Sequence, residues 1–532
     1  MRPFGADGVF CAGVDGAVLR RAAVRGASVT IFAQGASLAV QITATVVLAR
    51  LLLPADFGVV AMVTTFSLLF ASFGLNGFTE AILQREQVTR FLASNLFWIN
   101  LGAGALLTGT FIALAPWMAR FYHDPAVTRI AQAVAATILL GSLVVLHQAL
   151  LQRAMRFTAV GVNAIVARAA SVVVSIACAL GGWGYWALVA GMIAQPLSQC
   201  LGVWLLCRWI PSWPRREPGT GAAVKFALNV YSHFGFNYSA RNTDNLLVGW
   251  QFNAQALGFY KKAYDLFALP VGQLVSPVGA VAIATLSRFN RDRAQYERYF
   301  LRGISVLALV GMGVGADFTL IGKDLIRFLL GPGWDEAGRI FAFFGPGIGV
   351  MLLYNTHGWI HLSIGRPDRW FRWGVLEFLF TAGLFVLALP WGPEAIALAW
   401  TVSFFALMIP AFWYAGRPIG FRARPVIAAV WRYFVASAVA GEAAFLLLAK
   451  LQWLATAAGA FGALARVLLA SLVFCAFYVG MVGALHGGFA PFRQLGELLR
   501  ELLPARSGAR PALVRPALAG HAVAEARVSS DR

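Results

Sequence analysis

Apolar residues recur along this chain in blocks of about 20 residues, separated by short polar connections. A helix rises about 1.5 Å per residue, so each block is long enough to cross a hydrocarbon layer about 30 Å thick. The pattern predicts about 14 transmembrane helices, at residues 27–49, 57–79, 91–115, 128–149, 159–180, 183–207, 222–250, 257–284, 299–321, 337–361, 371–390, 394–414, 429–449 and 462–485.

Composition supports an all-α integral membrane protein. Of the 532 residues, 59% are hydrophobic and only 12% are charged, whereas a soluble domain carries about 25% charged residues. No large soluble domain fits between the apolar blocks. The predicted segments are an N-terminal segment (1–26), a first lobe of six spans (27–207), a linker (208–221), a second lobe of six spans (222–414), two further spans (415–485) and a tail rich in Ala, Arg and Pro that we expect to be disordered (486–532).

The basic residues fall at the ends of the apolar blocks. The chain has 43 basic and 23 acidic residues, and such an excess also occurs in nucleic-acid-binding proteins. Here, with the N-terminus inside, 31 basic residues fall in cytoplasmic segments and 7 in external loops. This asymmetry is typical of a multi-pass protein of the bacterial inner membrane. It predicts that both termini are cytoplasmic, with membrane lipids and no nucleic acid as surroundings.

A faint internal repeat relates the two lobes. Gly58 and Gly258 follow similar short loops at the start of the second and eighth spans, and Gly184 and Gly392 begin similar stretches six spans apart. Copies six spans apart have the same orientation, which suggests two lobes related by an axis along the membrane normal. Glycine-rich helix packing would explain either similarity alone.

Sequence signatures of enzymes and metal sites are absent. The chain has no Walker A, HExxH or GxSxG motif, and its five cysteines form no close CxxC pair. His357 and His361 are four residues apart, but without a third ligand they indicate polar packing rather than a metal site. We therefore predict no catalytic residue, no metal and no cofactor.

The seventh span carries an unusual polar series. At four-residue steps, with one acid beside the last member, it contains Asn229, His233, Asn237, Arg241, Asn245 and Asp244. On one continuous helix these residues share an arc of roughly 160° over about 24 Å. A polar face of that length is too costly against lipid, so we expect it to face a wet cavity or other helices. Arg241 and Asp244 could instead simply neutralise each other.

Three further cations lie within spans. Arg168 is near the middle of the fifth span, and Lys261 and Lys262 are near the outer end of the eighth. Together with Arg241 they suggest a cationic cavity for an anionic substrate, because charge at mid-bilayer is seldom retained without a use. The two lysines could alternatively extend to the outer interface.

Several motifs, in this order and spacing, resemble those of polysaccharide-transport proteins. They are Leu19–Gly26 (LRRAAVRG), Ala49–Gly58 (ARLLLPADFG), Phe73–Gln84 (FGLNGFTEAILQ), Gly182–Gly191 (GWGYWALVAG), Arg241–Gly249 (RNTDNLLVG) and Leu257–Tyr264 (LGFYKKAY). The chain resembles the Wzx-type and exopolysaccharide flippase branch of the multidrug/oligosaccharidyl-lipid/polysaccharide (MOP) exporter superfamily. The resemblance implies two six-helix lobes forming a V around a cationic cavity, plus two C-terminal helices. It also implies alternating access for an undecaprenyl-diphosphate-linked oligosaccharide, with polysaccharide assembly proteins as possible partners.

Two other functions stay open at this point. A membrane-embedded glycan polymerase or ligase usually needs a sizeable external loop, and every external loop here is short. A multidrug exporter of the same superfamily is expected to carry an acidic cation-binding site, whereas the in-span acids here are sparse.

Overall fold

Helices make up nearly all of the structure, a computed structural model that describes residues 3–5, 7–10, 35–75, 77–85, 87–289, 292–450 and 459–502. We number them α1 (Gly35–Leu51), α2 (Pro54–Leu75), α3 (Phe78–Gln84), α4 (Arg90–Tyr122), α5 (Ala126–Arg153), α6 (Phe157–Leu180), α7 (Tyr185–Cys207), α8 (Thr220–Arg241), α9 (Thr243–Gln251), α10 (Ala254–Arg288), α11 (Arg293–Leu330), α12 (Asp335–Asn355), α13 (His357–Ser363), α14 (Pro367–Ala388), α15 (Pro393–Gly416), α16 (Ala423–Ala449), α17 (Gly459–His486) and α18 (Ala490–Leu502). Over the described ranges, β pairing is limited to two isolated bridges near the N-terminus.

The prediction of an all-helical membrane protein is confirmed, while the count of 14 spans stays a prediction. In the described ranges, eleven helical segments are long and apolar enough to cross a membrane. The three remaining predicted spans coincide with α1, which is shorter, with α8 and α9, and with α10. Polar residues in α8–α10 lower their apolar character, as expected of helices that border a polar interior.

Helices of each half pack mainly on one another. In the first half α4 packs on α5 and α6 on α7, and in the second α12 packs on α10, α11 and α15. Helices α16 and α17 pack together against α11. Buried polar contacts join them, since Tyr478 Oη donates to the Leu309 carbonyl at 2.7 Å and Arg466 Nε donates to Asp324 at 2.7 Å.

Helices α2 and α10 join the two halves at a close crossing of two glycines. A Cβ atom on Gly58 would lie 1.5 Å from the Ala254 carbonyl oxygen, and one on Gly258 would lie 1.9 Å from the Pro54 carbonyl oxygen. Gly58 thus contacts Ala254, four residues before Gly258, and Gly258 contacts Pro54, four residues before Gly58. A local two-fold axis produces this kind of reciprocal contact. Only glycine permits backbones to approach this closely.

Two polar contacts reinforce the crossing, one from the end of α11 and one from the α11–α12 connection. Arg50 Nη2 donates to the Phe328 carbonyl at 2.6 Å, and the buried Trp334 indole donates to the Ala49 carbonyl at 2.8 Å. Trp334 also packs edge-on against Phe57, with ring centroids 5.4 Å apart. The end of α1 and the start of α2 are therefore fastened to the second half.

The structure describes two segments that the sequence predicts to be irregular. The linker has neither helix nor strand over 208–219, and its chain is held against α4 by side-chain hydrogen bonds. The tail, which we expected to be disordered, contains helix α18, whose Phe492 and Leu495 pack against the core. These apolar side chains repeat at helical spacing, so the helix buries one face.

Candidate functional site

A cavity of about 280 Å³ lies between the first half and α10, beside the glycine crossing. Helices α1, α2, α6 and α7 form its walls on one side and α10 on the other. Arg168, Lys261 and Lys262 all line it, together with one acid, Asp265. The structure thus brings together three of the cations that the sequence singles out, and we call this space the inter-half cavity.

Arg168 is positioned by neighbours from other helices. Its Nη1 donates to Gln41 Oε1 on α1 at 3.3 Å, and the next turn of α6 is fixed where Ser171 Oγ donates to the Gly191 carbonyl at 2.7 Å. A guanidinium has five N–H donors. The one hydrogen bond that Arg168 makes among the described residues therefore leaves most of these donors free for an anion in the cavity.

The two lysines of α10 have different surroundings. Lys261 forms an ion pair with Asp265 one turn later, so its charge is largely offset. Lys262 has no acidic partner among the described residues, and its Nζ lies 4.2 Å from the centroid of the Phe57 ring. Both lie about 10 Å into α10 from its first residue. Both line the inter-half cavity, and the alternative that they extend to the outer interface stays open.

Arg241 lies elsewhere. It lines a smaller pocket of about 60 Å³ in the second half, with Asn355, Glu377 and aromatic side chains. Its Nη2 is 3.5 Å from Asn355 Oδ1. The described structure therefore does not place Arg241 opposite Arg168 around one space, as two guanidiniums gripping the same phosphates would require.

The polar series of the seventh span is interrupted. Helix α8 ends at Arg241, Asn242 breaks the regular geometry, and α9 begins at Thr243. The expectation of one continuous helical face is therefore wrong beyond Arg241. The backbone of α8 carries His233 and Asn237, but their side chains lie outside the described part of the structure.

Asp244 and Asn245 are buried in the second half. Asp244 Oδ2 accepts hydrogen bonds from Tyr260 Oη and from Trp400 Nε1, both at 2.8 Å. No ion pair joins Asp244 to Arg241 among the described residues. Tyr260 and Trp400 are partners that sequence spacing did not reveal, because they come from α10 and α15.

The two histidines behave as packing residues. His357 and His361 are buried, His357 Nδ1 contacts the Tyr354 carbonyl at 2.6 Å, and the two rings meet edge-on at 5.9 Å. Among the described residues, no three His, Cys, Asp or Glu side chains cluster as metal ligands would.

The fold is that of a multi-pass membrane protein. A family model described as "Polysaccharide biosynthesis protein" matches residues 47–339, more than half of the chain. The chain belongs to this polysaccharide biosynthesis protein family.

Individual relatives and solved structures agree with this family assignment. Teichuronic acid biosynthesis protein TuaB of Bacillus subtilis is 25% identical over 348 residues, covering 62% of this chain and 69% of TuaB. Succinoglycan biosynthesis transport protein ExoT of Rhizobium meliloti is 20% identical over 355 residues, covering 66% of this chain and 72% of ExoT. The structure of Lipid II flippase MurJ in an inward closed conformation matches with a TM-score of 0.67 at 14% identity, covering 85% of this chain and 98% of MurJ.

The resemblance to the polysaccharide-transport branch of the MOP superfamily is confirmed by the family match and by this fold. At the level of family and fold, the prediction of a transporter rather than an enzyme is confirmed as well.

Proposed function

We propose that this protein moves undecaprenyl-diphosphate-linked oligosaccharide units across the bacterial inner membrane by alternating access. The units would serve the assembly of lipopolysaccharide or exopolysaccharide, in contact with other assembly proteins. The observation that carries the proposal is the set of three cations facing the inter-half cavity with a single acid. Family membership supports the glycan class of the substrate.

The charge of the cavity suits a diphosphate. Moving an anion out of water without compensating charges or hydrogen bonds is prohibitively costly. Among the described residues, Arg168 keeps most of its N–H donors unused, and the Lys262 ammonium group forms no ion pair. Arginine can bind phosphate oxygens in a bidentate manner, which lysine cannot. We assign the first phosphate contacts to Arg168 and Lys262, with Lys261 contributing less because Asp265 pairs with it.

The size of the cavity supports a change of shape during transport. At about 280 Å³ it is smaller than the roughly 300–1,000 Å³ of most small-molecule sites. It has room for a diphosphate but not for several sugar rings. The halves must therefore separate for the glycan to pass, and the α2–α10 crossing is one contact that has to open.

Reconstitution tests the proposal. Vesicles containing the purified protein should translocate a lipid-diphosphate glycan, read by accessibility of the glycan to a membrane-impermeant modifying enzyme. Arg168→Ala and Lys262→Ala should each slow translocation more than tenfold, since a hydrogen bond to a charged group contributes about 1.5–3 kcal/mol. Arg168→Lys should retain partial activity.

A matched control separates an effect at the cavity from a general effect of removing one positive charge. Arg129 is an exposed arginine of α5 outside the cavity. The Arg129→Ala variant should translocate the glycan at the wild-type rate. Equal rates for wild type and Arg168→Ala at equal protein levels would refute the assignment. Faster export of a lipophilic cation than of the diphosphate glycan would instead favour the multidrug alternative.

A further inference from the structure

The linker between α7 and α8 forms an ordered strap without helix or strand. We define the strap as residues 208–219. Such a segment must satisfy its backbone polar groups in some other way. Here α4 supplies the partners: Ser212 N donates to Ser94 Oγ at 3.0 Å, and the Trp98 indole donates to the Ser212 carbonyl at 2.9 Å.

Asn95 clamps the strap at Arg215. Its Nδ2 donates to the Arg215 carbonyl at 2.6 Å, and its Oδ1 accepts from the Arg215 backbone N–H at 3.0 Å. Both hydrogen-bonding groups of one residue are thereby held by one side chain. A few residues earlier, Trp213 stacks on Trp98 with ring planes only 4° apart. The backbone that carries Arg215 and Arg216 is therefore fixed relative to α4.

The length of α4 bears on the depth of this clamp in the membrane. Helix α4 has 33 residues, about 50 Å at 1.5 Å per residue, and exceeds a hydrocarbon core of about 30 Å. Part of α4 must then lie in the polar interface, and we place its first turns, with the clamp, at the level of the lipid head groups. The charge asymmetry predicts that this is the cytoplasmic surface. The strap's Trp213 and Ile210 are 79% and 75% exposed, and tryptophan is enriched at such interfaces.

An open groove of about 870 Å³ runs between α4 and the strap. Its polar end is formed by Arg215 and Arg216, and its apolar walls by Trp98 and Ile99. The only acid lining it, Glu217, accepts a hydrogen bond from Thr89 at 2.7 Å. Arg216 has no hydrogen-bond or ion-pair partner in the described part of the chain, while the Arg215 guanidinium lies 5.0 Å from the Phe91 ring centroid.

We propose that this groove binds the phosphodiester head group of an anionic membrane phospholipid. Arg215 and Arg216 would hold the phosphate, and the lipid chains would lie along Trp98, Ile99 and the neighbouring lipid-facing surface of α4. Charge complementarity selects this occupant, since two exposed arginines on a clamped backbone, beside apolar side chains, match an anionic head followed by a hydrocarbon chain. The groove shares no lining residue with the inter-half cavity, and the proposal does not depend on what the protein transports.

Titration of the full-length protein in neutral detergent with single phospholipids, read by native mass spectrometry, tests this. Wild type should bind the first phosphatidylglycerol more tightly than phosphatidylcholine. The double variant Arg215→Ala with Arg216→Ala should weaken phosphatidylglycerol binding roughly 10- to 30-fold, from the usual attraction of anionic lipid per basic residue. Its phosphatidylcholine binding should not change.

The matched control is Arg422→Ala with Arg424→Ala, two exposed arginines on the same predicted side of the membrane. This pair should keep the preference for phosphatidylglycerol. An equal loss in both double variants would show only general charge attraction and would overturn the site. Removal of the preference by millimolar inorganic phosphate would overturn the lipid assignment in favour of a free-phosphate site. Asn95→Leu, which keeps both arginines but removes the clamp, should lower the selectivity between the two lipids.

Discussion

Adding a single methyl group at the α2–α10 crossing should open it. In Gly58→Ala the new Cβ would lie 1.5 Å from the Ala254 carbonyl oxygen, whereas ordinary contacts begin near 3.4 Å. The neighbouring atom is backbone within a helix, so no side-chain rotation relieves the clash. The two helices must move apart by about 2 Å or the closed crossing must be abandoned.

The size of the effect follows from this clash. Overpacking a well-packed contact costs about 1–3 kcal/mol. A destabilisation of that size lowers the ratio of closed to open molecules by roughly 5- to 150-fold. The substitution changes the free-energy difference between the closed and open states and shifts molecules toward the open one. The fold itself should therefore survive in the open form. Gly258→Ala clashes with the Pro54 carbonyl oxygen at 1.9 Å and should act in the same way.

Distance measurement by double electron–electron resonance checks the result. Spin labels on the exposed positions Leu53 and Gln255, at the starts of α2 and α10, should report one short distance in the parent protein and a longer population in Gly58→Ala. Gly109→Ala is the control, since a Cβ there meets nothing within 4 Å. The reasoning fails if Gly58→Ala keeps the parental distance, or if Gly109→Ala changes it equally. The double variant should shift the distance less than additively, because both methyl groups strain one contact.

Three other predictions concern charge, stability and topology. Arg241→Ala should reduce transport, and adding Asp244→Ala should not restore it. The reason is that Asp244 is hydrogen-bonded to Tyr260 and Trp400 rather than to Arg241. Rescue at normal protein level would show that the role of Arg241 was to neutralise Asp244. The Asp244→Ala single variant should lower the free energy of unfolding by about 1–3 kcal/mol, because it leaves the buried donors of Tyr260 and Trp400 unsatisfied. An unchanged melting curve would contradict this. Reporter fusions within 208–221 should be cytoplasmic and fusions within 322–336 periplasmic, and opposite signals would reject the orientation drawn from the charge asymmetry.

Local sequence signals predicted the elements well and their partners poorly. The repeat that pairs Gly58 with Gly258, and Gly184 with Gly392, was visible in the sequence. In the structure the first pair forms the helix crossing, and the second pair begins α7 and α15 with positive φ of 55° and 95°. Nothing in the linear repeat indicated that the first two glycines touch each other.

The seventh span illustrates the opposite outcome. A four-residue period predicts one polar face only while the helix stays regular, and the helix is interrupted at Asn242. Beyond it, Asp244 and Asn245 are buried, whereas Arg241 borders a pocket with Glu377, a residue 136 positions later. Periodicity alone reveals neither the interruption nor this long-range neighbour.

By itself, the sequence determined that the chain lies in a membrane, that its elements are helices, and which family its motifs belong to. Apolar length sets whether a segment can cross a bilayer, charge at its ends predicts orientation, and ordered motifs mark the family, all of which are local or sequential properties. Only the tertiary structure decided which cations share a space: Arg168 meets Lys261 and Lys262, 93 and 94 positions later, while Arg241 does not join them. The physical reason is that a cavity is formed by the surfaces of several helices, and their relative placement depends on contacts such as the glycine crossing, which join residues far apart in the chain.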